Sequence, residues 1–326
     1  MGYISRVVKF GLQENIAHNL LFIDGLTRSG KSVFSPLIGT FERCEQIRFF
    51  NLIEQILPAL QTKSIDADYA RSLVRAQFNE FVYDMMLSRN ANFRKGDQTS
   101  IYNHPDSTLY ERRLDQPDGD EIVFSLRNRQ RIFPIMTHDL MVSIDLLLQL
   151  DLDFKMIEIY RHPIDLINSQ FNRGWGRRFG YDPRAFTLTV TSRDNLYPWY
   201  AIGQEDLWES FTELERVVWM TVTLLQKSIE KQRRLSTNKN FLTIKFENLL
   251  AKPNIIIKEI SAFLETPETS ATYLVLKQSN IPRIINVDSR THLSETIHNQ
   301  IKPKLSYSLA QLTSQYELNC FGIPHS

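Results

Sequence analysis

Apolar positions in this chain switch repeatedly between two spacings. Leu20-Leu21-Phe22-Ile23 is a continuous apolar run, and residues 130–136, Lys155 to Tyr160 and Phe241 to Phe246 are apolar or alternating over strand length. Between them the spacing is helical: Ile47, Phe50, Ile53, Ile56 and Leu57 within 45–60, then Leu73, Phe78, Val82, Met85 and Met86 within 69–88. Helices are also expected over 139–150, over Trp208 to Arg234, and near 254–264 and 304–318. Pro163 is suited to open another helix, because its missing N–H costs nothing there, and Asp165 then faces that helix's positive end. Residues 89–121 carry Lys-Gly-Asp-Gln, His-Pro-Asp-Ser and Gln-Pro-Asp-Gly-Asp clusters and read as loops. Strands alternating with helices predict an α/β fold with a mostly parallel central sheet flanked by helices. Ligands of such a sheet lie beyond the carboxyl ends of its strands.

Composition narrows the class. The 326 residues are 42% hydrophobic and 23% charged, enough for one large α/β core with helical additions. The best membrane candidate, Val217 to Leu225, is about half of the roughly twenty residues that a span needs, so no stable membrane insertion is expected. The opening Met-Gly-Tyr-Ile-Ser-Arg lacks a signal peptide's apolar stretch, and Arg6 stands where a myristoylation signal wants Ser or Thr. A net charge of +1 argues against a nucleic-acid partner or a membrane surface. Cys44 and Cys320 are too few for a disulfide framework or a zinc site, which makes the cytoplasm the expected location.

Chemistry enters at residues 25–32. Gly25-Leu-Thr-Arg-Ser-Gly-Lys-Ser32 follows the first apolar run and precedes Val33, Phe34, Leu37 and Ile38, the strand and helix context of a phosphate cradle. Gly25 and Gly30 let backbone amides turn inward, Lys31 adds a point charge, and Ser32 begins a helix whose positive end faces the anion. Pro36 and Gly39 should keep that helix brief or bent. The same spacing serves a nucleoside-triphosphate enzyme, in which Lys31 would meet the β and γ phosphates of ATP and Ser32 a Mg²⁺ ion. Such a kinase also wants an apolar strand ending in Asp. The nearest match, Met141-Val-Ser-Ile-Asp145, lies in a segment that reads as helix.

Two more pieces bear on the ligand. Arg161 follows the strand ending at Tyr160, with Ser169 eight residues on in the next helix, and Thr137-His138 follows the strand Arg131 to Met136. Together with the loop, these resemble the sulfotransferase family, whose donor is 3′-phosphoadenosine 5′-phosphosulfate (PAPS). The similarity covers most of residues 18–40, 130–172 and 240–266. It implies a P-loop type of fold in a single domain over 1–326, with a helical and loop insertion at about 41–129 and an acceptor lid at about 171–207. It further implies that Arg28, Ser29, Gly30, Lys31 and Ser32 hold the phosphosulfate end of the donor and that Arg161 and Ser169 hold its 3′-phosphate. Arg28 would also be catalytic, by neutralising the bridging oxygen, and His138 would be the general base; no metal is required. The chain departs from the family pattern at three places. Lys31 stands where threonine is usual, Met136 replaces a lysine two residues before the histidine, and there is no downstream Arg-Lys-Gly, for which Arg283 or Arg290 are available substitutes.

Read singly, these residues keep other roles open. Arg161 could pair with Asp165, Ser169 could face solvent, and His138 could open a helix capped by Thr137 or Asp139. The aromatic and arginine-rich segment 171–207 could close over a small-molecule or carbohydrate acceptor or could simply pack. Gly174, Gly176, Gly180 and Gly203 break regular structure there and favour a partly mobile lid. Besides the kinase, a catalytically silent nucleotide-binding module is the remaining alternative. The sequence sets neither the acceptor nor the oligomeric state.

Overall fold

In the computed structural model, residues 9–179 and 181–318 are described; the readings on Met1 to Arg6, Gly180 and Cys320 lie outside them. The strands are β1 (Leu20–Asp24), β2 (Arg48–Phe49), β3 (Phe133–Met136), β4 (Phe154–Tyr160), β5 (Thr189–Ser192), β6 (Asn195–Pro198) and β7 (Phe241–Lys245). The helices of the first half are α1 (Lys31–Ile38), α2 (Leu52–Gln61), α3 (Ala67–Met86), α4 (Thr108–Arg112), α5 (Asp120–Arg127), α6 (Ile144–Leu147) and α7 (Pro163–Phe171). Those of the second half are α8 (Glu205–Glu209), α9 (Glu213–Leu235), α10 (Phe246–Ala251), α11 (Pro253–Leu264), α12 (Ser270–Gln278), α13 (Val287–Asn299) and α14 (Pro303–Glu317).

Five strands form one parallel sheet in the order β2-β3-β1-β4-β7, an α/β arrangement of the P-loop type. β1 sits in the middle and is buried along its whole length, which is why it reads as an unbroken apolar run. Its side chains alternate between two layers. Leu20 and Phe22 pack with Val74, Phe78 and Ile144 on one face, while Leu21 and Ile23 pack with Phe34, Leu37 and Ile257 on the other. A third core joins α7, α9 and α14 through Ile164, Ile167, Val218, Leu225, Leu309 and Leu312. Among the described residues, no helix is long and apolar enough to cross a membrane.

Several expected elements are cut differently. Over 45–60, residues 48 and 49 form an edge strand in register with Ile135 and Met136, and the helix starts only at Leu52. The expected helix at 139–150 is two 3-10 turns around the single turn of α6, bounded by Asp139 and Asp151, both left-handed at φ 61° and 55°. The long helix from Trp208 begins instead at Glu213, where Thr212 and Glu215 form a reciprocal capping box. The loop region 89–121 holds α4 and the first residues of α5. α10, α12 and α13 have no counterpart in the sequence pattern.

Part of the aromatic segment 171–207 belongs to the third core. Phe179, Tyr197, Trp199 and Tyr200 are all buried there, whereas Tyr181 and Phe186 stay exposed. β5 and β6 make an antiparallel hairpin whose two turn residues, Arg193 and Asp194, both have positive φ.

Candidate functional site

Three strand ends meet at one edge of the sheet. β1 lies between β3 and β4, with Ile23 in register with Met136 on one side and Ile157 on the other. The loop after β1, the Thr137-His138-Asp139 turn after β3 and the Arg161-His162 junction after β4 are therefore neighbours. This is the crevice at which open α/β sheets bind ligands.

The loop after β1 needs its two glycines. Gly25 has φ 133°, and a Cβ there would lie 2.3 Å from the carbonyl oxygen of Ile159; Gly30 has φ 109°, and a Cβ there would lie 2.4 Å from the Phe246 ring. Gly25→Ala is expected to lower unfolding free energy by about 2 kcal/mol, read as a lower midpoint at unchanged slope in urea. Helix α1 begins at Lys31, one residue before the expected start. Gly30 caps it without a side-chain hydrogen bond, leaving the first-turn amides without a side-chain acceptor. Pro36 falls inside this eight-residue helix and Gly39 ends it, so it is brief, as expected.

Lys31 is buried, and its Nζ donates to the carbonyls of Leu26, at 2.9 Å, and of Gly25. Burial lowers its pKa, against the pull of Asp24, Asp139, Glu158 and Glu54. In this arrangement the ammonium tightens the loop itself. The Ser29 hydroxyl is also buried and has no hydrogen-bond partner among the described residues, while Ser32 is exposed in the first turn of α1.

The loop is locked to the junction after β4. Arg28 Nε donates to Ser169 Oγ at 3.0 Å, Arg161 donates to the carbonyl of Arg28 at 3.0 Å, and Gln170 Nε2 donates to the carbonyl of Thr27 at 2.9 Å. Gln170 is itself held by Thr221 of α9 at 2.7 Å. The Arg161 guanidinium also lies 5.5 Å over the Phe246 ring. Burial lowers the pKa of Arg28, and the charges of Arg173 and Arg161 lower it further. Burial likewise lowers that of Arg161, with Asp165 and Glu247 opposing and Arg290 and Arg283 adding to the effect. Asp165 is taken by Arg290 at 2.6 Å, so the partner suggested for Arg161 by sequence belongs to another arginine. Cations that depress one another's pKa mark a place that favours an anion.

His138 faces the other side of the loop. Its main-chain N–H and its ring Nδ1 both approach Glu54 Oε1 of α2, at 2.9 and 3.2 Å. It lines a cavity of about 360 Å³ that also touches Thr27 of the loop after β1 and is walled mostly by apolar groups, among them Phe49, Leu57, Trp175, Phe179, Trp199 and Met220. Asp139, next to it, is pushed up to about 7 by burial, with His138 and Lys31 opposing. Thr137 donates to Asp24 Oδ1 at 2.9 Å, and the Met141 amide to Asp24 Oδ2 at 3.1 Å. Neither Thr137 nor Asp139 caps a helix with its side chain. Asp145 lies in α6, paired with Arg234 at 3.0 Å and with Lys231, so it is not the strand-end aspartate that a kinase would use. Among the described residues, no group of three or more His, Cys, Asp or Glu side chains is placed to hold a metal ion.

Sequence reasoning missed Glu54, Asp24 and Glu158. Glu158 is buried beside Asp24 in register and accepts from Ser228 at 3.0 Å; burial, then Asp24, push it well above the usual carboxylate range. For Glu158, a charge inside the otherwise apolar stretch Met156 to Tyr160 was the available signal.

The family model described as "Sulfotransferase domain" matches residues 19–305. No curated protein sequence matches the chain. Similar solved structures include the sulfotransferase domain from the curacin biosynthetic pathway, at 14% identity over 92% of this chain and 98% of that one, with a TM-score of 0.48. Another is the sulfotransferase domain from the Synechococcus PCC 7002 olefin synthase, at 12% identity over 95% and 98%, with a TM-score of 0.44. A third is mouse sulfotransferase SULT7A1 complexed with PAP, at 14% identity over 96% and 88%, with a TM-score of 0.39. Because the family match runs through nearly the whole described chain, from β1 to the start of α14, the protein belongs to the sulfotransferase family and is a transferase enzyme.

Proposed function

We propose that the enzyme moves a sulfuryl group from PAPS to a hydroxyl of a small, largely apolar acceptor. The observation that carries this reading is the lock between Arg28, Ser169 and Arg161, which makes one anion-favouring surface from two strand-to-helix junctions. A donor with phosphate at both its 5′ and 3′ ends matches that surface, and ATP does not. The phosphosulfate end would lie on the uncapped amides of α1, with Arg28, Ser29, Gly30, Lys31 and Ser32 around it. The unpartnered Ser29 hydroxyl is a group such an anion would satisfy. Arg161 and Ser169 would hold the 3′-phosphate, and Arg290 and Arg283, close enough to act on Arg161, would stand in for the absent Arg-Lys-Gly.

His138 would accept the proton of the acceptor hydroxyl, while Arg28 and the loop amides stabilise charge on the leaving phosphate. The transfer needs positioning and charge stabilisation rather than a covalent intermediate, and the scheme requires no metal. The apolar cavity wall beside His138 favours a ring or chain bearing a hydroxyl over a sugar, which would leave its many hydroxyls poorly paired. A cytoplasmic setting suits Cys44, a buried free thiol that burial pushes up to about 12.

Isothermal titration with adenosine 3′,5′-bisphosphate in EDTA, beside ATP with Mg²⁺, tests the donor. Tight metal-independent binding of the bisphosphate supports the reading, and a preference for ATP with Mg²⁺ overturns it.

A further inference from the structure

We infer that Glu54 is the positioning residue of the base: it holds the His138 ring so that Nδ1 carries the proton and Nε2 keeps the lone pair that receives the acceptor's proton. This rests on the role of His138 proposed above. Glu54 is the third residue of α2, where the helix's positive end favours a carboxylate, and neighbouring Ile53 is fully buried in the core and fixes that turn. One oxygen, Oε1, is approached by both the main-chain N–H and Nδ1 of His138. A carboxylate without a proton only accepts hydrogen bonds, so Nδ1 must be the donor. The backbone bond fixes where residue 138 sits, and the ring bond fixes which nitrogen is basic.

The same helix is tied to the turn after His138 a second time, by Ser143 Oγ to Gln61 Oε1 at 3.4 Å. Leu57 and Pro58 of α2 line the same cavity as His138. Glu54 thus belongs to a rigid wall. Its carboxylate would also balance the imidazolium that forms once the proton is taken. The other charged groups around this point are Asp139 beside His138, Lys31 under the loop, Asp24 at the end of β1 and Arg184, which lines the same cavity and is paired with Asp182. None of them is hydrogen-bonded to the His138 ring.

Two measurements separate this role from a merely structural one. In ¹⁵N spectra of the histidine rings, with His138 assigned by its loss in His138→Gln, the wild-type neutral ring should be protonated at Nδ1 and Glu54→Ala should move the proton to Nε2. In turnover, Glu54→Ala should lower kcat about tenfold with the acceptor KM within about twofold, and add nothing in a His138→Ala background. Glu54→Gln keeps an oxygen for Nδ1–H and should retain the wild-type tautomer, so it serves if the alanine variant folds poorly. A wild-type ring protonated at Nε2, or a further loss of rate in the double variant, overturns the inference. A larger loss from Glu54→Ala than from His138→Ala also overturns it, by making Glu54 the base. Absent bisphosphate binding would sink the donor assignment instead, and the tautomer would still decide whether Glu54 sets the ring.

Discussion

Arg161→Ala is expected to weaken adenosine 3′,5′-bisphosphate binding about a hundredfold, or about 2.7 kcal/mol, in isothermal titration. A charge-assisted hydrogen bond contributes about 1.5–3 kcal/mol, and a guanidinium can give a phosphate two of them. Arg161 is already fixed by the Arg28 carbonyl and the Phe246 ring, so little side-chain freedom is lost when an anion arrives. Arg161→Lys should fall between the two, because an ammonium keeps the charge but not the planar fork. ATP binding, which lacks a 3′-phosphate, should respond far less. Unchanged bisphosphate affinity in Arg161→Ala would reduce this residue to a clamp on the loop.

His138→Ala should lower kcat about a thousandfold, within the range that a positioned general base contributes. Bisphosphate affinity should stay within about twofold, because His138 lies on the cavity side of the loop and the arginines on the other. The pair of variants then forms a cross. One loses donor binding and keeps the base, and the other loses the base and keeps donor binding. A His138 variant with unchanged turnover would remove the proposed base, and the neighbouring carboxylates Glu54 and Asp139 would be the next groups to replace.

What the sequence made legible here was local. Gly25, Gly30 and the apolar run before them announce a phosphate loop because the backbone geometry is decided within a few residues. β1, β3 and β4 were readable because strands covered on both faces are largely apolar, and β7, half-buried at the sheet's edge, because its apolar residues come in a strand-length run. β2 was not, since two residues in register with Ile135 and Met136 sit inside a run spaced like a helix. The hairpin of β5 and β6 turns through Arg193 and Asp194, without the glycine that usually marks such a turn. Helix α13 buries Ile297 alone, so its apolar period is faint. The aromatics of 171–207 show a different limit: composition suggested a lid and could not say that Phe179, Tyr197, Trp199 and Tyr200 are buried while Tyr181 and Phe186 stay exposed. At the site, the link from Glu54 to His138 spans 84 positions and left no local trace.

The central place of β1 also sets when the site can exist during synthesis. Its motif is complete by Ser32, yet Gly25 packs against the carbonyl of Ile159 and Arg28 reaches across 141 positions to Ser169. β1 has no sheet neighbour until β3 and β4 have been made. A nascent chain therefore carries the loop sequence long before it carries a pocket, and the cradle closes only once α7 has left the ribosome. Contacts of such sequence separation form slowly. The proposed anion site is in this sense a late product of folding, although its loop is written well before the strands that complete it.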